Sequence, residues 1–340
     1  MKKNFLSLAL LILVILVLAA CGGGEVTNDS EILNDAANEV RIGYFPNMTH
    51  IATIVALEKG FFEEQFGEDI EISTKFFNDG TAFMEAMSTD AIDIGTVGPT
   101  PAINTFVKNP QHEIIAGAVS GGAVLVIGKD SGIDSVEDLA GKTVVIPAYG
   151  STQDVSLMKS LKDAGLKVKL SGGAVNTIKQ APADTAALML RGEIDAAAMQ
   201  EPWGVNIEMN GNGKLLLDET QFGWGSESTT TVVAARKDFS SINPDLTTKA
   251  LKAHVQAVDF INENPEEAIQ LFLDHIKKIT GKELSKEEVT KAFDRIAPTT
   301  EVNEEVLKEM ATVSKEAGYI HTDNIDGLIN YSYLEEALSE

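Results

Sequence analysis

Short apolar runs alternate with longer amphipathic stretches along most of this 340-residue chain, and no other feature limits the available folds as strongly. The runs at 40–45, 70–76 and 92–97 have the length of buried strands, and the stretches between them have helical spacing. Strand–helix alternation is typical of a mainly parallel sheet covered by helices. Ligands of such sheets collect at the carboxyl ends of the strands, so the loops there are the first candidates for a binding site.

The same alternation restarts after residue 128 and predicts a second lobe. The expected strands are 142–146, 168–170 and 194–199, and the expected helices are 153–161 and 183–191. A β-rich run at 229–235 then precedes a largely helical tail. We therefore predict an α/β fold built from two similar halves.

The runs around Ala123 and Thr229 are the expected connections between the two lobes. On this division, lobe 1 comprises 39–124 and 230–340, and lobe 2 comprises 125–229. About 300 residues are enough to bury two such cores.

The N-terminal residues 1–20 predict a signal peptide. Two lysines precede an apolar run from Phe5 to Leu18, which is short for a membrane span of ~20 residues. The sequence LAAC ending at Cys21 resembles the bacterial lipoprotein cleavage box, in which Cys21 becomes lipidated. An uncleaved anchor helix is the alternative, and both place the chain on the extracytoplasmic face of the cell membrane. Residues 21–38 are expected to form a flexible tether.

Charge and cysteine content exclude several partners. The net charge of −24 argues against nucleic acid and against electrostatic binding to anionic lipid. Because Cys21 is the only cysteine, the mature chain has no disulfide.

Motifs for cofactors, metals and nucleophiles are absent from the sequence. No glycine-rich dinucleotide or phosphate loop occurs, and no G-x-S-x-G marks a nucleophile. The five histidines are scattered without a metal-binding pair. We expect no cofactor, no metal and no catalytic residue.

Small polar loops recur where a predicted strand gives way to a helix. They are 46–50, 78–81, 98–101, 150–154 and 200–203. Each helix N-terminus offers unpaired N–H groups and a partial positive charge, so several converging ends could hold an oxyanion. None of these loops contains an arginine.

Helix capping is the alternative role for most polar residues in these loops. Thr100 is a predicted cap with Pro101 at the first helical position. Ser151 and Asp154 fit a capping box, which would occupy the Ser151 hydroxyl and leave Thr152 free for a ligand.

Three further side chains each have two possible roles. Glu201 follows a predicted strand and could pair with a ligand amine, a lysine or a backbone amide. Trp203 could stack on a ligand or pack in the interior. His50 could contact the ligand or cap a helix.

Four segments together resemble the substrate-binding proteins of ABC importers for aliphatic sulfonates, taurine and nitrate. They are GYFPN from Gly43, DIGTVGPTPA from Asp93, GSTQD from Gly150 and GEIDAAAMQEPW from Gly192. The resemblance covers the whole mature chain. It implies a type II periplasmic-binding-protein-like fold, with two α/β lobes joined by a hinge and a solute trapped in the cleft between them. The implied partners are a membrane permease and its ATPase, and no covalent chemistry is implied.

Carried over by position, the resemblance implies ligand contacts from all five loops and from residues 120–121. With His50 added from the first loop, the candidates are Asn47, Thr49, His50, Gly80, Thr81, Thr100, Ser120, Gly121, Ser151, Thr152, Glu201 and Trp203. The expected solute is a small anion or zwitterion, first an aliphatic sulfonate or a taurine-like compound. Some sulfonate binders of this family place an arginine near the sulfonate and this chain has none in its loops, so nitrate, bicarbonate and pyrimidine precursors remain alternatives.

Two other functional classes are less consistent with the sequence. A pyrimidine-precursor synthase of this fold would resemble a protein with a cysteine-rich motif, which this chain lacks. A sensor ectodomain would need a transmembrane helix after residue 21, and the sequence shows none. We expect a monomeric, lipid-anchored binding protein.

Overall fold

A computed structural model describes residues 37–339. The predicted signal peptide, the predicted lipidation site Cys21 and residues 21–36 of the predicted tether lie outside the described residues. Within 37–339, no helix combines the length and apolar character needed to cross a bilayer.

The strands form two sheets. In chain order they are β1 (Glu39–Tyr44), β2 (Glu71–Phe76), β3 (Ile94–Val97), β4 (His112–Gly121), β5 (Ala123–Gly128), β6 (Thr143–Ile146), β7 (Asn176–Lys179), β8 (Ala196–Gln200), β9 (Gly213–Leu217), β10 (Thr229–Arg236) and β11 (Ile296–Pro298).

Helices follow most of the strands and end the chain. They are α1 (Ile51–Glu58), α2 (Phe61–Phe66), α3 (Gly80–Ser88), α4 (Pro99–Phe106), α5 (Thr152–Asp163), α6 (Pro182–Leu190), α7 (Trp203–Asn210), α8 (Lys237–Ile242), α9 (Pro244–Glu263), α10 (Pro265–Thr280), α11 (Lys286–Phe293), α12 (Glu304–Glu316) and α13 (Ser332–Ser339). Short 3₁₀ turns occur at Met48–His50, Val136–Leu139, Lys169–Ser171 and Gly225–Glu227.

The two sheets have the same internal order. In the first sheet, β1 lies between the parallel strands β2 and β3, and the antiparallel β10 follows β3, with β4 and β11 beyond it. In the second sheet, β6 lies between the parallel strands β7 and β8, and the antiparallel β5 follows β8, with β9 beyond it. This mixed two-sheet architecture confirms the predicted α/β fold with two similar halves.

The chain leaves the first sheet after Gly121, enters the second at Ala123 and returns to the first at Thr229. Each of these crossing strands runs antiparallel to the parallel strand that it joins. β5 pairs with β8 in this way, and β10 pairs with β3. The exact residues at which lobe 1 gives way to lobe 2 stay a prediction.

One predicted strand is wrong. Residues 168–170 belong largely to the turn Lys169–Ser171, and the strand of this region is β7, Asn176–Lys179. Leu170 is 71% exposed, whereas Val168 is buried, so the apolar spacing that suggested a strand does not mark a buried face. The strand β7 is polar because it forms an edge of its sheet.

Apolar side chains pack on both faces of each sheet. Ile42, Ile115 and Phe272 belong to one cluster of the first sheet, and Phe83 and Met310 belong to the other. These clusters fix the sheets and the helices behind them. The carboxyl ends of the parallel strands, with the loops that lead to α1, α3, α4 and α5, are left to form the walls of a cavity.

Candidate functional site

A polar cavity of about 50 Å³ lies between the two sheets, at the carboxyl ends of their parallel strands. We call it the polar cavity. Its lining residues are Phe45, Asn47, Thr49, His50, Asn78, Asp79, Gly80, Gly98, Pro101, Pro147, Ala148, Ser151, Thr152, Gln153, Gln200, Thr230 and Thr231.

The first loop is held in shape by its own polar groups. Asn47 Oδ1 accepts hydrogen bonds from the N–H of Thr49 at 3.1 Å and from its O–H at 2.7 Å, and so caps the turn Met48–His50. His50 Nδ1 lies 2.8 Å from Thr96 Oγ1, and the His50 ring lies 4.6 Å from that of Phe45. Burial lowers the pKa of His50 to about 3, so the imidazole is neutral at pH 7.

The second loop ends at the start of α3. Asp79 Oδ1 caps this helix by accepting the N–H of Ala82 at 3.0 Å. Gly80 lies in the cavity wall, where a side chain would collide with Pro101. Thr81, one residue further on, is exposed and does not line the polar cavity.

The third loop differs from its prediction. The cap of α4 is Gly98, with Pro99 at the first helical position, two residues earlier than the predicted cap Thr100. Gly98 is extended and leads directly into the proline, which is already in helical geometry. Thr100 is therefore inside the helix and buried, and its hydroxyl lies 3.9 Å from Met310 Sδ in the core rather than in the cavity.

The fourth loop forms only part of the predicted capping box: Ser151 caps α5, whereas the Asp154 carboxylate accepts the N–H of Gly150 rather than that of Ser151. Ser151 Oγ accepts the N–H of Asp154 at 3.2 Å. Thr152 Oγ1 is buried in the cavity wall without a hydrogen-bond partner in the described structure. Gly98 approaches Thr152 so closely that a Cβ added at residue 98 would lie 2.5 Å from Thr152 Oγ1.

Asp154 connects this loop to the other half of the molecule. Its Oδ2 accepts the N–H of Gly150 at 2.8 Å and the O–H of Tyr319 at 2.5 Å. Burial raises the pKa of Asp154 to about 6, although these two hydrogen bonds act in the opposite direction.

Residues 120–121 stand behind the cavity wall. Ser120 pairs with Thr229 and Ala297 in the first sheet, and neither Ser120 nor Gly121 lines the cavity. The neighbouring Thr230 does, but its hydroxyl bonds to the Gly121 carbonyl at 2.5 Å. Thr231 also lines the cavity, and within the described residues its buried hydroxyl has no partner.

Glu201 is occupied by the protein itself. It is fully buried, its Oε1 lies 2.7 Å from Arg295 Nη1, and its Oε2 accepts the N–H of Val205 at 3.0 Å. Burial raises the pKa of Glu201 to about 7, while the Arg295 guanidinium lowers it. Of the three partners that the sequence suggested for Glu201, the structure provides the backbone amide.

Trp203 lines a second cavity beside the polar one, which we call the apolar cavity. Its volume is about 470 Å³. The two cavities share Phe45, Asn47, Asn78 and Gln200 in their linings. The Lys282 amine lies 5.8 Å from the centre of the Trp203 ring.

The polar cavity brings together half of the predicted contacts. Asn47, Thr49, His50, Gly80, Ser151 and Thr152 line it, whereas Thr81, Thr100, Ser120, Gly121, Glu201 and Trp203 do not. Ligand contact by the first six stays a prediction.

Several lining residues were missed by sequence reasoning. Gln200 ends β8 and Asn78 follows β2, so the strand-end rule could have found both. Gln153 sits at the start of α5. Thr231 lines the cavity beside Thr230 because β10 is irregular between Thr229 and Val232, which no local pattern reveals.

The charges and donors of the lining favour a small anion over a cation. The lining has one carboxylate, that of Asp79, which lies 3.5 Å from Lys179 Nζ, and no lysine or arginine. Three helices, α3, α4 and α5, begin at the cavity, so their free N–H groups are its main positive element. Among residues 37–339, no group of three or more acidic, histidine or cysteine side chains could hold a metal ion.

A family model described as the NMT1-like family matches residues 34–272. The chain belongs to the NMT1-like family. A Bacillus subtilis (strain 168) protein named "Putative aliphatic sulfonates-binding protein" is 28% identical to this NMT1-like chain over 312 residues, which is 91% of this chain and 87% of the relative.

Two solved structures share the two-lobe fold of this NMT1-like chain. The alkanesulfonate-binding protein SsuA from Xanthomonas axonopodis pv. citri bound to MOPS has a TM-score of 0.73 at 18% identity, with 86% of this chain and 98% of that chain covered. The periplasmic nitrate-binding protein NrtA from Synechocystis PCC 6803 has a TM-score of 0.74 at 17% identity, with 89% of each chain covered.

Proposed function

We propose that this chain is the extracytoplasmic solute-binding component of an ABC importer and that it captures a small oxyanion, first of all an aliphatic sulfonate. On this proposal the chain binds and delivers its solute without chemical change. The sulfonate-binding relative and the alkanesulfonate-binding structure support the class of solute.

The polar cavity carries the proposal. Its wall contains two buried hydroxyls, Thr152 Oγ1 and Thr231 Oγ1, that have no partner in the described part of the chain. A buried polar group without a partner costs free energy, and an anion that accepts both O–H groups would remove this cost. Because Thr231 belongs to β10 of the first sheet and Thr152 begins α5, which follows β6 of the second sheet, such an anion would also hold the two halves together.

Helix ends can replace a cationic side chain in this site. Each helix N-terminus has the effect of about half a positive charge, and the effect is larger where water is excluded. The neutral imidazole of His50 adds no charge but can offer one N–H. This chemistry suits a sulfonate, whose oxygens accept several hydrogen bonds.

The test is a matched pair of threonine substitutions in the purified chain. Thr152→Val should weaken sulfonate binding by about 1–3 kcal/mol, because it removes an O–H donor from a buried oxyanion. Thr81→Val should leave affinity unchanged, since Thr81 is exposed and outside the polar cavity. Isothermal titration with ethanesulfonate measures both, and equal losses for the two variants would contradict the proposed site.

Nitrate is the second candidate, because a cavity of about 50 Å³ is small enough for an inorganic anion alone. A thermal-shift screen with sulfonates, taurine, nitrate, bicarbonate and pyrimidines separates these classes, since a ligand at a hundredfold its Kd adds about 2.7 kcal/mol. Taurine should bind less tightly than ethanesulfonate. Glu201 is engaged by Arg295, and the one acid that lines the polar cavity, Asp79, is beside Lys179.

We further propose that Cys21 anchors the chain through a lipid and that a monomer delivers the solute to its permease. The cleavage box at Cys21 supports this anchoring. Cys21→Ser should move the protein from the membrane fraction to the medium. Retention of the variant in the membrane would instead support an uncleaved anchor helix.

A further inference from the structure

The apolar cavity beside the polar one has no role in holding an oxyanion. We infer that it holds the tail of the same solute, so that this chain takes organosulfonates with a bulky apolar tail, long-chain or aromatic. The inference rests on the proposed function, because it assumes that the sulfonate head occupies the polar cavity.

The sizes of the two cavities support this division. The polar cavity, at about 50 Å³, is much smaller than its neighbour and suits a compact head group. The apolar cavity, at about 470 Å³, falls within the range of small-molecule pockets. Their four shared lining residues make the two spaces neighbours, as a single solute with a head and a tail would require.

The walls of the apolar cavity are suited to a hydrocarbon. Phe76 and Phe77 at the end of β2, Trp203, and Ile276 and Ile279 of α10 all line it. Phe76 is 44% exposed, so a large part of its ring is available for a tail to contact. A tail in this cavity would cover Phe76 from the first half and Trp203 from the second.

The apolar cavity has few charged lining residues. Lys282 and Asp184 are its only charged lining residues, and the Lys282 amine lies near the Trp203 ring. A second carboxylate or sulfonate on the tail would therefore find one cation at most. This favours an apolar tail over a dianionic solute.

The test compares sulfonates of increasing length on the purified full chain. From ethanesulfonate through butanesulfonate and hexanesulfonate to octanesulfonate, affinity should rise by up to about fourfold for each methylene buried. Naphthalenesulfonate should also bind more tightly than ethanesulfonate. Isothermal titration gives the Kd of each ligand.

Substitution of one exposed wall residue assigns the effect to the apolar cavity. Phe76→Ser should weaken octanesulfonate binding by about tenfold and leave ethanesulfonate binding unchanged. The matched control is Ile242→Ser, which removes a side chain of similar exposure, 47%, outside both cavities. Melting temperatures of the free proteins verify that both variants are folded.

The outcomes separate the two proposals. Equal Kd values for ethanesulfonate and octanesulfonate would overturn the tail compartment and leave the sulfonate site intact. A length dependence that Phe76→Ser and Ile242→Ser both leave unchanged would also overturn it. If no sulfonate binds while nitrate does, the proposed sulfonate function fails, and the inference fails with it.

Discussion

Two of the places at which the halves of the molecule meet are built differently. Beside the crossing at residues 121–123, Arg295 joins Glu201 and Glu208 at 2.7 Å each, and the three side chains are 10%, 0% and 12% exposed. At the start of α5, the contact is the hydrogen bond from Tyr319 to Asp154, with the Lys162–Glu316 ion pair further along the helix. Both side chains of that ion pair are about half exposed.

The difference separates a fixed joint from a contact that can open. Buried charges that lose their partner are stranded at low dielectric, so the Arg295 cluster resists separation. Exposed groups and a tyrosine hydroxyl exchange their partners for water at much lower cost. We therefore expect the halves to turn about the Arg295 cluster and to part first between α5 and Tyr319.

Removal of the fixed joint should have the largest effect. Arg295→Met leaves Glu201 buried without its cation and should lower the free energy of unfolding by about 3–5 kcal/mol. Denaturant unfolding measures this. Arg191→Met is the matched control, because the Arg191–Glu193 pair is more than half exposed on both sides, and its melting temperature should stay that of the wild type. A small loss for Arg295→Met would mean that the two meeting places are energetically alike.

The pH dependence of the second contact should be smaller and has a definite sign. Burial raises the pKa of Asp154 from 3.8 to about 6, so its stabilisation is complete below pH 3.8 and is lost as pH rises to about 6. Asp154→Asn mimics the protonated form. Its free energy of unfolding, relative to wild type, should therefore rise with pH across this window by at most about 1.4 kcal/mol per pH unit.

Denaturant unfolding of the two proteins between pH 3 and pH 8 gives this difference directly. Tyr319→Phe is the companion variant, since it removes the O–H that stabilises the Asp154 carboxylate and should extend the dependence to higher pH. A difference between Asp154→Asn and wild type that is flat across the window would show that Asp154 is hydrated and that this contact is already open.

The exposed ion pair should contribute least. Lys162→Gln removes the cation that lies 2.7 Å from Glu316, yet exposed pairs contribute at most about 1 kcal/mol. We expect a small change in unfolding free energy that disappears in high salt. A loss as large as that of Arg295→Met would remove the distinction between a joint and an opening contact.

The fold was largely predictable because it depends on local periodicity. The apolar runs of β4, β6 and β8 are buried on both faces, so composition alone marks them. Two of the strands that were missed carry little such signal. β7 is a polar edge strand, and β11 has three residues. Their pairing depends on neighbours that are distant in sequence.

The site was only partly predictable. The position of a loop depends on the sequence around it, whereas the direction of a side chain depends on residues that are distant in sequence. The strand-end loops located the polar cavity. The predicted cap of α4 was two residues too late, however, so Thr100 was expected in the cavity wall although it lies in the core. The role of Glu201 depends on Arg295, which is 94 residues away. No spacing in the sequence predicts that pairing, and the carboxylate therefore looked available for an amine.

Gly98 sets a clearance between the halves. A single methyl group at this position would collide with Thr152 of the other half, and would keep the two halves from closing fully. The missing side chain is therefore what permits full closure. Gly98→Ala should therefore give a binding protein that folds normally but closes incompletely, and so releases its solute rapidly.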